Sequence, residues 1–165
     1  DRGLSVGFPT VTAMSTSTVP STTPSTVPAT DAAPVQRTPI NPWSWSLNFG
    51  YNQAEVLQGI NRQLVCAGQT SVDADGNPQH PDDMRSQITL ALDNLEAVLS
   101  AADMSLANVT RLAVYTTDVD AAMQHFDVLG ARFGPINAAP PMTLLGVSRL
   151  ALPTLMFEIE ATAAD

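Results

Sequence analysis

Lysine is absent from this chain of 165 residues, cysteine occurs once and histidine twice. Every basic side chain is therefore one of seven arginines, set against sixteen aspartates and glutamates for a formal net charge of -9. Phosphate backbones and anionic membranes both call for a positive surface patch, which this balance argues against. Cys66 has no second cysteine to pair with, and His80 and His125 lie far apart, so no metal site, redox framework or cofactor is expected. No run approaches 18 consecutive apolar residues, and the opening residues carry neither the basic region nor the apolar core of a signal peptide. The expectation is a cytoplasmic protein that binds neither nucleic acid nor membrane.

What is present divides the chain in two. Residues 1–39 hold five serines, nine threonines and six prolines. Such a segment has little to bury, and its prolines lack backbone donors, so it reads as a disordered tail. Met14 as the true first residue, or a tail docked on a neighbouring subunit, are the alternatives. Two acids and two arginines cancel within it, which leaves the whole negative charge to residues 40–165. With 44% hydrophobic residues, the chain can build one domain with a core.

Trp43, Trp45, Leu47 and Phe49 alternate with polar residues, a period of two that predicts an extended N-terminal aromatic arm. Tyr51 to Leu57 and Gln63 to Gly68 flank the turn Gln58-Gly59-Ile60-Asn61 and read as a hairpin. Asp73 to Pro78 resembles a calcium loop only faintly, because the closing glutamate is missing, and reads as a solvated turn. A long helix is expected from near Pro81, with Asp82 and Asp83 at its positive end and Ile88, Leu92, Leu95 and Leu99 along one face. Val109 to Thr117 reads as a strand. A second helix follows, capped by Asp118 or Asp120 and running through Phe133, then strands at Met142 to Val147 and Thr154 to Thr162. In the last strand Leu155, Phe157, Ile159 and Ala161 share one face, while Met156, Glu158, Glu160 and Thr162 share the other. The fold class is α+β. Two helices cover one face of a mixed sheet, so the other face, with the Met142-Thr-Leu-Leu segment, Val147 and the Met156 side, is expected to meet another subunit.

Cys66-Ala-Gly-Gln69, Asp75-Gly76, Gln87-Ile-Thr-Leu-Ala-Leu-Asp-Asn-Leu95, Val109 to Tyr115 and Phe157-Glu-Ile-Glu-Ala-Thr-Ala163 together resemble the Rid family, also called YjgF/YER057c/UK114. The resemblance runs from about Phe49 to Ala163. It implies a chorismate-mutase-like protomer in a homotrimer with a central barrel, and a small-molecule ligand in three clefts between subunits. It also implies hydrolysis of 2-imino or 2-enamino acids to ammonia and a 2-oxo acid.

Carried over by motif, Glu158 matches the glutamate that positions the attacking water, and Tyr51 matches the tyrosine of the N-terminal segment. The arginine that grips the substrate carboxylate falls on Met142, which cannot pair with an anion. Losing such an anchor costs on the order of 2 to 5 kcal/mol. The family's Ser-Gly pair is Ala67-Gly68 here, and an asparagine of the second helix falls on Phe126. The site expectation is thus Glu158 as catalytic group, with Tyr51, Ala67, Gly68, Phe126 and Met142 around the ligand. Each has a plainer reading: Glu158 a satisfied carboxylate at a subunit seam, Glu160 structural or solvent-facing, Tyr51 an aromatic packed on the sheet. Cys66 reads as a buried small hydrophobe and His80 as a cap or surface residue, while His125 could reach the cleft. Arg111 and Arg149 are the candidates to replace the lost guanidinium. The functional expectation is a cofactor-independent imine or enamine hydrolase. A non-catalytic trimer binding a small molecule or a protein is the alternative, and an endoribonuclease is the least supported.

Overall fold

The computed structural model describes residues 34–165. A five-stranded sheet forms its centre, built from β3 (Gln63–Val65), β4 (Gln69–Thr70), β5 (Val109–Thr116), β6 (Met142–Gly146) and β7 (Phe157–Ala164). Strand order is β3-β7-β5-β6, with β4 also paired to β7. β7 is antiparallel to β3, β4 and β5, whereas β6 runs parallel to β5 and has no partner on its other side among the described residues. A separate antiparallel ribbon joins β1 (Gln36–Ile40) to β2 (Ala54–Gln58). The chain is an α+β protein, and no helix among the described residues is long and apolar enough to cross a membrane.

Alternation along β7 decides which way the sheet faces. Phe157, Ile159, Ala161 and Ala163 are buried, while Glu158, Glu160 and Thr162 stand half-buried on the opposite face. Against the buried face lies α1 (Met84–Ala101), whose Ile88, Leu92, Leu95 and Leu99 are wholly inaccessible to solvent. Each such side chain contributes roughly 1.5–3 kcal/mol relative to exposure. Asp83 starts the helix by accepting from the Ser86 N–H at 3.0 Å and from its hydroxyl at 2.7 Å. Gln87 is the polar exception inside this layer. Its Nε2 donates to the carbonyls of His80 and Thr154, at 3.1 and 2.9 Å, and its Oε1 accepts from the Met156 N–H at 2.7 Å. The helix thereby fixes the approach to β7.

Several sequence expectations need correcting. The expected hairpin does not form: β2 pairs with β1, and β3 pairs with the C-terminal strand β7. Gly59, at φ 74°, turns the chain away between them. The aromatic arm is not extended. Trp45–Phe49 coils into a 3-10 helix closed by Gly50 in the left-handed region, yet Trp45, Leu47 and Phe49 remain exposed. β1 begins at Gln36 and so crosses the boundary expected between residues 39 and 40. Arg37 secures this ribbon by donating to Glu55 at 3.0 and 2.7 Å and to the carbonyls of Ala107 and Val109. Of the tail expected to be disordered, residues 1–39, the first 33 lie outside the described residues. The second helix is divided into α2 (Val119–Gln124), capped by Asp118, and α3 (Asp127–Phe133). Finally, the uncovered face is the expected one, carrying Glu158, Glu160 and Thr162, but it holds only part of the apolar surface expected there. Met142, Leu144 and Met156 pack on the core, whereas Thr143 and Leu145 alternate outward, Leu145 with 51% of its surface exposed.

Candidate active site

β7 carries Glu158 opposite Tyr115 of β5 on one side and Thr70 of β4 on the other. The loop ahead of β4 brings Gly68 beneath it so closely that a Cβ there would stand 1.8 Å from Glu158 Oε1. Glycine is required at 68 because the carboxylate occupies the space of a side chain. Ala67 is exposed beside it, and its carbonyl accepts from Gln69 Nε2 at 3.3 Å. Two residues along β7, Glu160 Oε1 accepts from the Tyr115 hydroxyl at 3.1 Å.

These contacts set the acid–base character of the face. Burial, and then the charge of Glu160, push the Glu158 carboxyl above the ordinary carboxylate range. The Tyr115 phenol is raised first by its hydrogen bond to Glu160, then by burial and by the Glu160 charge, with Arg111 opposing. Glu158 is thus a partly desolvated carboxyl that keeps its proton to higher pH than an ordinary glutamate. Glu160, read from sequence as structural or solvent-facing, is a direct electrostatic neighbour of Glu158. Tyr115 was not singled out in the sequence at all. Its place on the strand was legible, but its pairing with β7, across more than forty residues, was not.

Tyr51, Phe126 and Met142 come together elsewhere, in a groove between the 3-10 helix and α3. The groove has an inner lobe of about 390 Å³, reaching Leu129 and Phe133, and an outer lobe of about 810 Å³, reaching Trp45 and Met123. Trp45 and Tyr51 meet edge to face, with ring centroids 6.2 Å apart. Next to Tyr51, Asn52 anchors the segment: its N–H donates to the Ala139 carbonyl at 2.8 Å, and its Nδ2 donates to Glu55 at 2.9 Å. Within one chain the six expected residues therefore form two groups, Glu158 with Ala67 and Gly68, and Tyr51 with Phe126 and Met142. No described cavity contains both groups.

The remaining candidates resolve individually. Arg111 lies on the open face with Glu160, and Arg149 is exposed in the loop after β6. Among the described residues these two arginines make no ion pair, whereas Arg37, Arg62, Arg85 and Arg132 each hold a carboxylate. Cys66 is buried, and burial pushes its thiol up, as befits an unreactive core residue. His80 is exposed at φ 56° in the turn before α1, and His125 caps the C-terminus of α2. Among the described residues no three His, Cys, Asp or Glu side chains are grouped to hold a metal ion. The Asp73 carboxylate is taken by the N–H groups of Asp75 and Asn77, as in a closed turn.

A mixed sheet with helices on one face and glutamates on the other defines a class of small α+β proteins, and comparison with known proteins identifies the family. Residues 47–165 match the family described as Endoribonuclease L-PSP. A RutC family protein of Pyrococcus horikoshii is 31% identical over 125 residues, which cover 76% of this chain and 88% of that protein. The solved structure of YyfB from Yersinia pestis, a Rid family protein of unknown function, superposes with a TM-score of 0.69 at 33% identity. It covers 78% of this chain and 98% of its own. Escherichia coli TdcF, solved with bound serine, gives a TM-score of 0.57 at 27% identity over 70% of this chain and 87% of its own. The chain belongs to the Rid (YjgF/YER057c/UK114) family.

Proposed function

We propose that the protein is a cofactor-independent hydrolase of small imines or enamines, acting at clefts between the subunits of a homotrimer. Each cleft joins the Tyr51, Phe126 and Met142 groove of one protomer to the Glu158 and Gly68 face of the next. Two features support such an assembly. β6 presents an unpaired edge, and the uncovered sheet face exposes Val65 and Leu145, with 74% and 51% of their surfaces accessible. The separation of the two residue groups within one chain is then a matter of which protomer supplies which half. The serine bound to TdcF supports a small molecule as the ligand.

The observation that carries the chemistry is Glu158, a desolvated carboxyl seated on a glycine, with no cation paired to it among the described residues. In its ionised form it accepts a proton from water while the water oxygen bonds to the imine carbon, and the C=N π electrons move to nitrogen. The same carboxyl returns the proton to nitrogen. The carboxylate then takes the carbinolamine hydroxyl proton and passes it to nitrogen, and as the oxygen electrons form the carbonyl the carbon–nitrogen bond breaks, leaving ammonia and a carbonyl product. An enamine enters the same sequence after tautomerising to the imine, its β-carbon gaining a proton as its nitrogen loses one.

Methionine at position 142 favours a second reading, a trimer that binds a small molecule without turnover. Endoribonuclease chemistry has less support, since the chain is acidic and the open face carries Glu158 and Glu160 beside Arg111. Ammonia and carbonyl release from imines generated in place from neutral, acidic and aromatic amino acids tests the proposal. Wild type should turn over at least one of them, with Glu158→Gln slower by about 100-fold or more. Equal rates for the two proteins would remove Glu158 from the mechanism, and no rate above background would leave the binding role.

A further inference from the structure

We infer that the part of the ligand received by the Tyr51, Phe126 and Met142 groove is uncharged and apolar, so that the substrates are imines or enamines bearing an aromatic ring or a branched aliphatic chain. The chemistry rests on the proposed hydrolase, but the binding claim does not. Among the described residues, neither lobe of the groove is lined by an arginine, a histidine, an aspartate or a glutamate. Its polar groups are the side chains of Asn48, Asn137 and Tyr51 and the indole N–H of Trp45, none of which offers a full charge. The nearby cation on α3, Arg132, is held by Asp93 and Glu96 of α1 and is not free to turn inward.

An anion entering this groove would shed water and meet no compensating charge, which is the costly case of burial. A ring would meet the reverse. The inner lobe of about 390 Å³ is within the size range of small-ligand pockets, and it ends on Leu129 and Phe133 beneath Phe126. Aromatic edges there and the adaptable thioether of Met142 can follow the outline of an apolar group. Met142 opens β6 at the junction of the two lobes, so it is the position where one cation would change the ligand class.

The groove carries its own reporter. Trp45 lines the outer lobe, and the only other tryptophan, Trp43, is 66% exposed, so Trp43→Phe leaves an emission that reads the groove. In that background phenylacetamide should quench at a concentration about 10-fold or more below its charged isostere phenylacetate. Met142→Arg should reverse the order, and Met142→Leu should preserve it. Phenylacetate binding as tightly as the amide, or neither ligand perturbing the emission up to its solubility limit, would overturn the inference. Because the readout needs no turnover, a protein that binds the amide but releases no ammonia keeps this inference and loses the hydrolase.

Discussion

Glu158 lies where its charge is disfavoured. It loses water on the sheet, faces the charge of Glu160, and has its carboxylate pressed onto Gly68. Its folded-state pKa is therefore above its unfolded value. Between the two values the folded chain binds more protons than the unfolded chain, so stability falls as pH rises through that window. The penalty is complete above the folded pKa and absent below the unfolded one, about 4.3 for glutamate. Glu158→Gln removes the ionisation and keeps the shape. It should raise the thermal midpoint above neutrality, with the gain fading as the pH is brought below about 4. Calorimetry across pH checks this, and a variant less stable than wild type above neutrality would mean that the ionised carboxylate has a stabilising partner. Gain in stability with loss of turnover is the pattern expected of a residue kept for chemistry.

At the level of elements, Gln87 controls how β7 enters the sheet. It is fully buried, and its amide holds Thr154 and Met156, which lie just ahead of the strand that carries Glu158. Gln87→Leu should cost about 1–3 kcal/mol, because it leaves the Met156 N–H without the buried amide oxygen that accepts it. A lower urea midpoint with an unchanged slope would register this, and an unchanged midpoint would show that the loop finds other partners. The long helix and the closing strand were legible from the sequence because their apolar spacing, at Ile88, Leu92, Leu95 and Leu99 and at Phe157, Ile159 and Ala161, records burial directly. Strand partners were not legible. Gln58 to Asn61 has the composition of a hairpin turn, yet β2 and β3 each find partners supplied by distant sequence. The Trp43 to Phe49 alternation misled for a related reason: those side chains stay exposed in one chain, so their spacing does not record burial against a sheet. Of the candidate site, the residue types were legible. Their division into two groups was not, since it follows from the order of strands.

On the scale of the whole molecule, that division makes a quantitative demand. If each cleft takes Glu158 from one protomer and Met142 from its neighbour, a variant defective in one half can be rescued by a variant defective in the other. Glu158→Gln supplies an intact groove. Met142→Asp, which sets a charge into the apolar lining, supplies an intact Glu158 face. Each alone should be inactive. After the two are unfolded together in equal amounts and refolded, each cleft has an even chance of an intact groove and an even chance of an intact carboxylate, so about a quarter of wild-type turnover should return. Ammonia release from the mixture, compared with the two variants refolded separately, reads the result, and sedimentation of the same samples should give the mass of three chains. Recovery near a quarter requires both halves to come from different protomers. Failure to recover, with trimers present, would place Glu158 and Met142 of the same chain in one site and require a rearrangement that closes the gap between them.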